Sequence, residues 1–339
     1  MSEALEAAAR AVPDAVVERL SRARCVLALT HENPDADTLG ASLGVQRLVG
    51  AFGGSVTLVS SDPVPRLYDF LPGIDEFRSD PDPDAGYDLL VASDFGTPDR
   101  MGSVRERHAA LLERLPRVMI DHHVSSQSAG PADWIDSAAA ATCEMVALLA
   151  VRLGVPLTAG DGALATVLMA GIVMDTATFA HPNTTPRTLS VASALVEAGA
   201  PLSDISRRLY RSKPEAQLRL FGRVLERLES VDDGRVAWST LLEADLVATG
   251  AEPSYSEGII DLLAQAENAE VAILFKEADG QTRLSVRTRP EGVDAAMLTG
   301  QFGGGGHARA AGATLDLPVA QAREAVLREA RRVAAQVRR

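Results

Sequence analysis

Residues 118–125 read VMIDHHVS. A short apolar run ends here in one carboxylate and two adjacent imidazoles, Asp121, His122 and His123, in a chain with only six histidines. Apolar runs of this length fit buried strands. The same design recurs upstream in CVLALT (25–30), SVTLVS (55–60) and YDLLVASD (87–94), with helical stretches such as 38–52 between them. Apolar strands separated by helices predict a parallel sheet covered on both faces. In such sheets ligands bind beyond the carboxyl ends of the strands. His31, Asp94 and the 121–123 triplet all stand just past strand ends, so they are expected to converge on one edge.

The 339 residues suit two domains. The second half departs from the first. A helix is expected at 138–153. A buried helix at 163–179 delivers Asp175, and a loop and helix cover 184–200. A charged helical connector with a break at Pro214 fills 201–230, behind a first domain at 1–200. From 231 to 339 the pattern turns to alternating strands, with the hairpin signal ADG at 278–280. This predicts a smaller α/β domain and an active-site cleft between the two. The tail from Val319 reads as an Arg-rich helix with a solvated face, and His108 is expected to face solvent.

Composition narrows the function. The formal net charge of −13 argues against a long electrostatic track for duplex nucleic acid, but allows a small anionic ligand. No run is long and apolar enough for a membrane span. The first twenty residues read as an amphipathic helix and not as a signal peptide. Cys25 and Cys143 sit in apolar surroundings, fitting reduced, buried thiols and a cytoplasmic location.

THENPDADTLG (30–40) places His31, Asp35 and Asp37 in one loop. Two carboxylates this close repel unless a cation offsets them. With Asp94, Asp121, His122, His123 and Asp175, five carboxylates and three imidazoles gather at element ends. Imidazole and carboxylate without thiolate favour Mn²⁺, with Mg²⁺, Co²⁺ or Zn²⁺ as alternatives. Two such ions sharing a carboxylate suit phosphoryl displacement by water. Asp35 also reads as a turn residue after Pro34, and Asp94 as a helix N-cap. Asp121 is either a ligand or a residue that orients a neighbouring histidine. His181 stays ambiguous.

A second signal is GGGGHARAAG (303–312). Successive glycines let backbone N–H groups approach an anion, and His307 and Arg309 follow at once. Arg287, in LSVRTR (284–289), lies on a strand able to face the same loop. The alternative is a flexible hinge.

Together, the DHH triplet, HENPDAD, SDFG (93–96), GIVMDTATF (171–179) and the distal GGGGHARAAG resemble the DHH phosphoesterase superfamily with a DHHA1 domain. NPDADTLGAS (33–42), WIDSAAAATCEMV (134–146) and TTPRT (184–188) bring the chain near the nanoRNase/pAp phosphatase branch, from about residue 22 onward. The resemblance implies two manganese ions. One would be held by His31, Asp35 and Asp94; the other by Asp37, Asp94, His122 and Asp175, with Asp94 shared. His123 would contact the scissile phosphate, with Asp121 supporting it. Arg287, Gly304, Gly305, Gly306, His307 and Arg309 would bind the far end of the substrate. Arg309 and Ala308 fall in a variable part of the glycine motif, and Thr288 stands where serine is common.

The implied substrates are very short RNA, 3′-phosphoadenosine 5′-phosphate (pAp), and dinucleotides such as pApA and c-di-AMP. Long duplexes and membranes are not expected as partners; the resemblance allows a homodimer. The rivals are a family II-type inorganic pyrophosphatase, which would lack the glycine loop, and a catalytically silent nucleotide sensor, which would need a lost ligand residue.

Overall fold

A computed structural model of the chain describes residues 3–128, 130–289 and 292–336. It divides into two compact units, one ending at Ser212 and the next beginning at Lys213. The division falls inside the stretch read as a connector. The helix Leu202–Tyr210 belongs to the first unit and the helix Glu215–Glu226 to the second.

The first unit holds five parallel strands: β1 (Cys25–Leu29), β2 (Ser55–Val59), β3 (Leu89–Ser93), β4 (Arg117–Asp121) and β5 (Asp133–Ile135). Their spatial order is β2-β1-β3-β4-β5. β3 is buried at every residue, as its continuous apolar run requires. β5 escaped the sequence reading, because three residues carry no usable period. The chain leaves β1 for β2 on one side and returns to β3 on the other. The strand order therefore reverses between β1 and β3, where open α/β sheets bind ligands.

Against the sheet lies the helix Ala36–Ala51, buried along most of its length. It starts where the Asp35 side chain accepts from the Asp37 and Thr38 amides, an N-cap that satisfies two orphan donors. The helices Thr142–Leu153 and Ala163–Asp175 pack closely on it. Glycine makes that approach feasible: a Cβ on Gly44 would stand 2.9 Å from both Leu168 and Val146 side-chain atoms. The helix expected at 163–179 stops at Asp175 because Ala177, Thr178 and Phe179 turn left-handed, at φ 46°, 58° and 65°. The expected N-terminal helix is two, Glu3–Ala9 and Asp14–Arg22, parted at Pro13.

Two expectations need correction. His108 is largely covered, with Nε2 2.9 Å from Asp80 Oδ1, so the two groups pair instead of facing water separately. Cys143 is buried as expected, but Cys25 is only half-buried at the start of its strand.

The second unit carries β6 (Glu229–Val231), β7 (Val236–Leu241), β8 (Val271–Ala278), β9 (Gln281–Thr288), β10 (Gly305–His307) and β11 (Ala310–Leu315), in the order β10-β11-β9-β8-β7-β6. β7 and β8 are parallel and the other pairs antiparallel. β8 and β9 form the expected hairpin; Asp279 and Gly280 both take positive φ, as its two-residue turn demands. One face of the sheet buries Ile273, Phe275, Leu284 and Val286 under the helix Val319–Gln336, which inserts Ala322, Val326 and Ala330. The opposite face packs Leu241, Ala272 and Leu274 under the helices Glu215–Glu226 and Ile259–Leu263. Among the described residues no helix is long and apolar enough to cross a membrane.

Candidate metal centre

Six side chains meet at the carboxyl ends of β1, β3 and β4. His31 follows β1 and is 2% exposed. Its Nδ1 lies 2.7 Å from the Glu32 carbonyl, which leaves Nε2 facing Asp35 Oδ2 at 3.7 Å and Asp94 Oδ2 at 3.5 Å. His122 follows β4. Its Nδ1 is directed at the Ala139 carbonyl, and its Nε2 at Asp94 Oδ1 (3.4 Å), Asp175 Oδ2 (3.1 Å) and Asp37 Oδ2 (4.0 Å). A backbone carbonyl on one ring nitrogen selects the tautomer and frees the other as a ligand.

Asp94 stands at the centre. One oxygen faces His31 and the other His122. Its φ of 68° is unusual for a residue with a Cβ, though Asp tolerates it better than most. Strain of this kind concentrates at functional sites. Asp37 is fully buried and takes the Thr142 and Cys143 amides, at 2.7 and 2.8 Å, from the first turn of the helix Thr142–Leu153. Asp35 serves as the helix N-cap through Oδ1 while Oδ2 points at His31, so the turn and ligand readings hold together.

The donor set fits divalent cations. Ligand atoms of His31, Asp35 and Asp94 lie within 4.8 Å of one another, as do those of Asp37, His122 and Asp175, and those of Asp94, His122 and His123. Among the described residues no lysine or arginine pairs with Asp35, Asp37, Asp94 or Asp175. Four carboxylates are thus packed together with only imidazoles to balance them, and oxygen-rich sites with imidazole suit hard to borderline divalent ions.

The protonation of the metal-free site reflects this crowding. Burial raises Asp37 well above the usual carboxylate range, and Asp175 and Asp94 push it further. Burial likewise lifts Asp175, helped by Asp94 and Asp35 and opposed by His122, to about 6. Burial alone would lower His31 and His122. The Asp35 and Asp94 carboxylates outweigh it at His31, raising it to about 10. Asp175 and Asp94 do so at His122, raising it to about 11. Both imidazoles therefore hold protons at pH 7 without metal, and a metal needs them neutral. Divalent ion binding at pH 7 is expected to release protons and to tighten as pH rises. Calorimetric titration in buffers of different ionisation enthalpy checks this, and a buffer-independent enthalpy would contradict it.

Asp121 is bonded on both of its oxygens. It is fully buried. Oδ1 accepts from the His123 amide at 2.9 Å and lies 2.8 Å from His123 Nδ1. Oδ2 accepts from Phe95 N, Gly96 N and Ser126 Oγ at 3.0, 2.7 and 2.7 Å. Both oxygens are engaged by protein donors, two of the contacts being to His123. An Asp121→Asn variant turns an amide NH₂ toward one set of donors. It is expected to lower kcat about 10–100-fold with metal content unchanged; dialysed-protein metal analysis beside steady-state kinetics measures both.

Sequence reasoning missed several supports. Thr142 Oγ1 donates to Asp94 Oδ1 at 3.1 Å. Asn183 Nδ2 ties the Ala140 carbonyl (3.1 Å) to that of Asp175 (3.3 Å). His181 Nδ1 lies 3.0 Å from the Asp175 carbonyl, on the backbone side of that residue. Buried Glu144 binds Arg187 Nε at 2.5 Å and Thr188 Oγ1 at 2.8 Å, anchoring TTPRT beside the site. In the second unit, Arg287 Nε bonds Asp261 at 2.9 Å. His307, on β10, is exposed. The Arg309 guanidinium donates to the Arg289 and Val293 carbonyls.

Residues 25–172 of the first unit match the DHH family, N-terminal domain, and residues 235–336 of the second match the DHHA1 domain. The chain belongs to the DHH family. It is 36% identical over 307 residues to the bifunctional oligoribonuclease and PAP phosphatase NrnA of Thermus thermophilus, covering 89% of this chain and 88% of that one. It is 27% identical over 287 residues to the Bacillus subtilis protein of the same name, covering 84% and 87%. The crystal structure of an exopolyphosphatase-related protein from Bacteroides fragilis superposes with a TM-score of 0.85 at 20% identity, over 97% of this chain and 99% of that one, and so shares the fold.

Proposed function

We propose that the chain is a phosphoesterase that hydrolyses very short RNA, pApA included, to mononucleotides and pAp to AMP, in the cytoplasm, with c-di-AMP as a further substrate. The carrying observation is Asp94, whose two oxygens face two ligand groups, one built on His31 and Asp35 and the other on Asp37, His122 and Asp175. Two relatives named as oligoribonuclease and PAP phosphatase, matched over most of their length, support the substrate class.

In this proposal the two groups hold two divalent cations, Mn²⁺ by preference. When bound, the cations neutralise charge on the reacting phosphate and acidify a water. His123, its Nδ1–H held by Asp121, presents Nε2 to a phosphate oxygen. Thr142 keeps Asp94 turned to both groups. In the second unit, Arg287, the backbone of Gly304, Gly305 and Gly306, and His307 bind the remote part of the nucleotide. Arg287 would leave Asp261 for a phosphate, an exchange of one exposed anion for another.

Turnover with Mn²⁺ of pAp, pApA, a five-nucleotide RNA, c-di-AMP and pyrophosphate, side by side, tests the proposal. Phosphate or mononucleotide release from pAp and the RNAs, abolished by chelation, is the expected result. Hydrolysis of pyrophosphate alone would make the chain a pyrophosphatase. Metal-dependent binding without any turnover would make it a sensor.

A further inference from the structure

The second unit's sheet has one face that its helices cover only in part. Over β7 and β8 this face is packed by Leu220, Phe221, Ile259 and Leu263. Strand alternation carries the same face outward along three rows. One row pairs His307, Ala310, Arg287 and Ala272. The next pairs Gly305, Gly312, Ser285 and Leu274. The third pairs Thr314, Arg283 and Lys276. The floor between the first and third rows is thus Gly305, Gly312 and Ser285, ending at Leu274, and cations stand on both sides of it.

The third row takes no part in the proposed chemistry. Lys276 and Arg283 are directly opposed across β8 and β9. Like charges in that position destabilise a sheet. No carboxylate forms an ion pair with either: among the described residues the Arg283 side chain makes no ion pair or hydrogen bond, and Lys276 Nζ bonds only the Ser256 hydroxyl, at 2.9 Å. Burial lowers the Lys276 pKa; Glu257 opposes this, and Arg283 and Arg287 add to it. Arg283 is exposed and Lys276 half-buried, so an anion from solvent reaches both. Arg283 lies four residues along the strand from Arg287, about 13 Å.

We propose that Lys276 and Arg283 form a second anion subsite, which takes a further phosphodiester of a short single-stranded RNA whose near phosphate is at Arg287 and His307. The proposal rests on the chain acting on short nucleotides. The subsite makes affinity grow with chain length: a five-nucleotide RNA engages both cationic rows, and pAp engages one. The small-residue floor between them gives a backbone room to lie along the strands.

The test compares wild type with the Lys276→Ala/Arg283→Ala double variant. With Mn²⁺, KM for a five-nucleotide RNA is expected to rise about tenfold, the loss of roughly 1.4 kcal/mol, while kcat and KM for pAp stay within twofold. In a parallel arm, a fluorescent five-nucleotide RNA is titrated into each protein with the metal chelated. The slope of log K against log salt should become shallower by about 0.7 for each phosphate that the variant fails to neutralise. Arg283→Gln, at an exposed and unpaired side chain, repeats both arms without disturbing the core. Unchanged RNA kinetics, an equal rise in KM for pAp, or equal binding by wild type and variant, including none by either, overturns the subsite. A wild type that binds the RNA but cleaves neither substrate defeats the functional reading instead, and the binding arm still decides the subsite.

Discussion

Replacing Asp94 with asparagine is expected to lower kcat on any accepted substrate by about three orders of magnitude, the several kcal/mol that metal charge contributes to a phosphoryl transfer. Asp94 offers Oδ2 to the His31 group and Oδ1 to the His122 group, so losing its charge weakens both together. Asparagine keeps the side-chain shape and tolerates the φ of 68°. Stability should therefore hold, and thermal melting separates lost chemistry from lost folding. Alanine is a poorer probe, because it adds backbone strain on the order of 1 kcal/mol at that φ. Metal content measured after dialysis should fall with activity. An Asn variant that retained more than a tenth of wild-type turnover with full metal content would remove Asp94 from the centre of the site.

The second large effect is expected at a residue with no side chain. A Cβ on Gly171 would overlap Cys143 Sγ and lie 2.5 Å from Asp37 Oδ1 and 2.9 Å from Asp37 Cα. All three are buried, and the backbone of Asp37 has no room to withdraw. Gly171→Ala should destabilise the first unit by about 1–3 kcal/mol through overpacking. It should also shift Asp37 from the Thr142 and Cys143 amides, lowering metal affinity beyond what stability accounts for. Adding Cys143→Ala relieves the sulfur overlap but not the carboxylate one. The double variant should regain melting temperature without regaining metal affinity. Recovery of both would mean that Gly171 serves helix packing alone.

Much of the site is legible in the sequence because its signals are local. Apolar runs ending in Asp or His mark strand ends, and a parallel sheet brings those ends to one edge whatever the loops do. HENPDAD keeps three candidate ligands within one loop and one helical cap. The ADG turn names its hairpin because Asp and Gly tolerate positive φ. Where no local signal exists, the reading falls short. β5 is too short for a period. The helix end at Asp175 depends on three consecutive left-handed residues that are not glycine. The pairing of His108 with Asp80 joins residues 28 positions apart.

Sequence alone determined the α/β class, the sheet edge and the residue types that gather there, since clustered carboxylates and imidazoles at strand ends are costly without a cation to offset them. Only the tertiary structure decided which partners each residue has. Asp37 is held by amides 105 and 106 residues away. Asp121 accepts on both oxygens, from the Gly96 and His123 amides among others. Arg309 is bound to carbonyls of its own domain, whereas Arg283 is left unpaired opposite Lys276. Burial and hydrogen-bond partnership are set by neighbours distant in the chain, and no spacing rule within a segment encodes them.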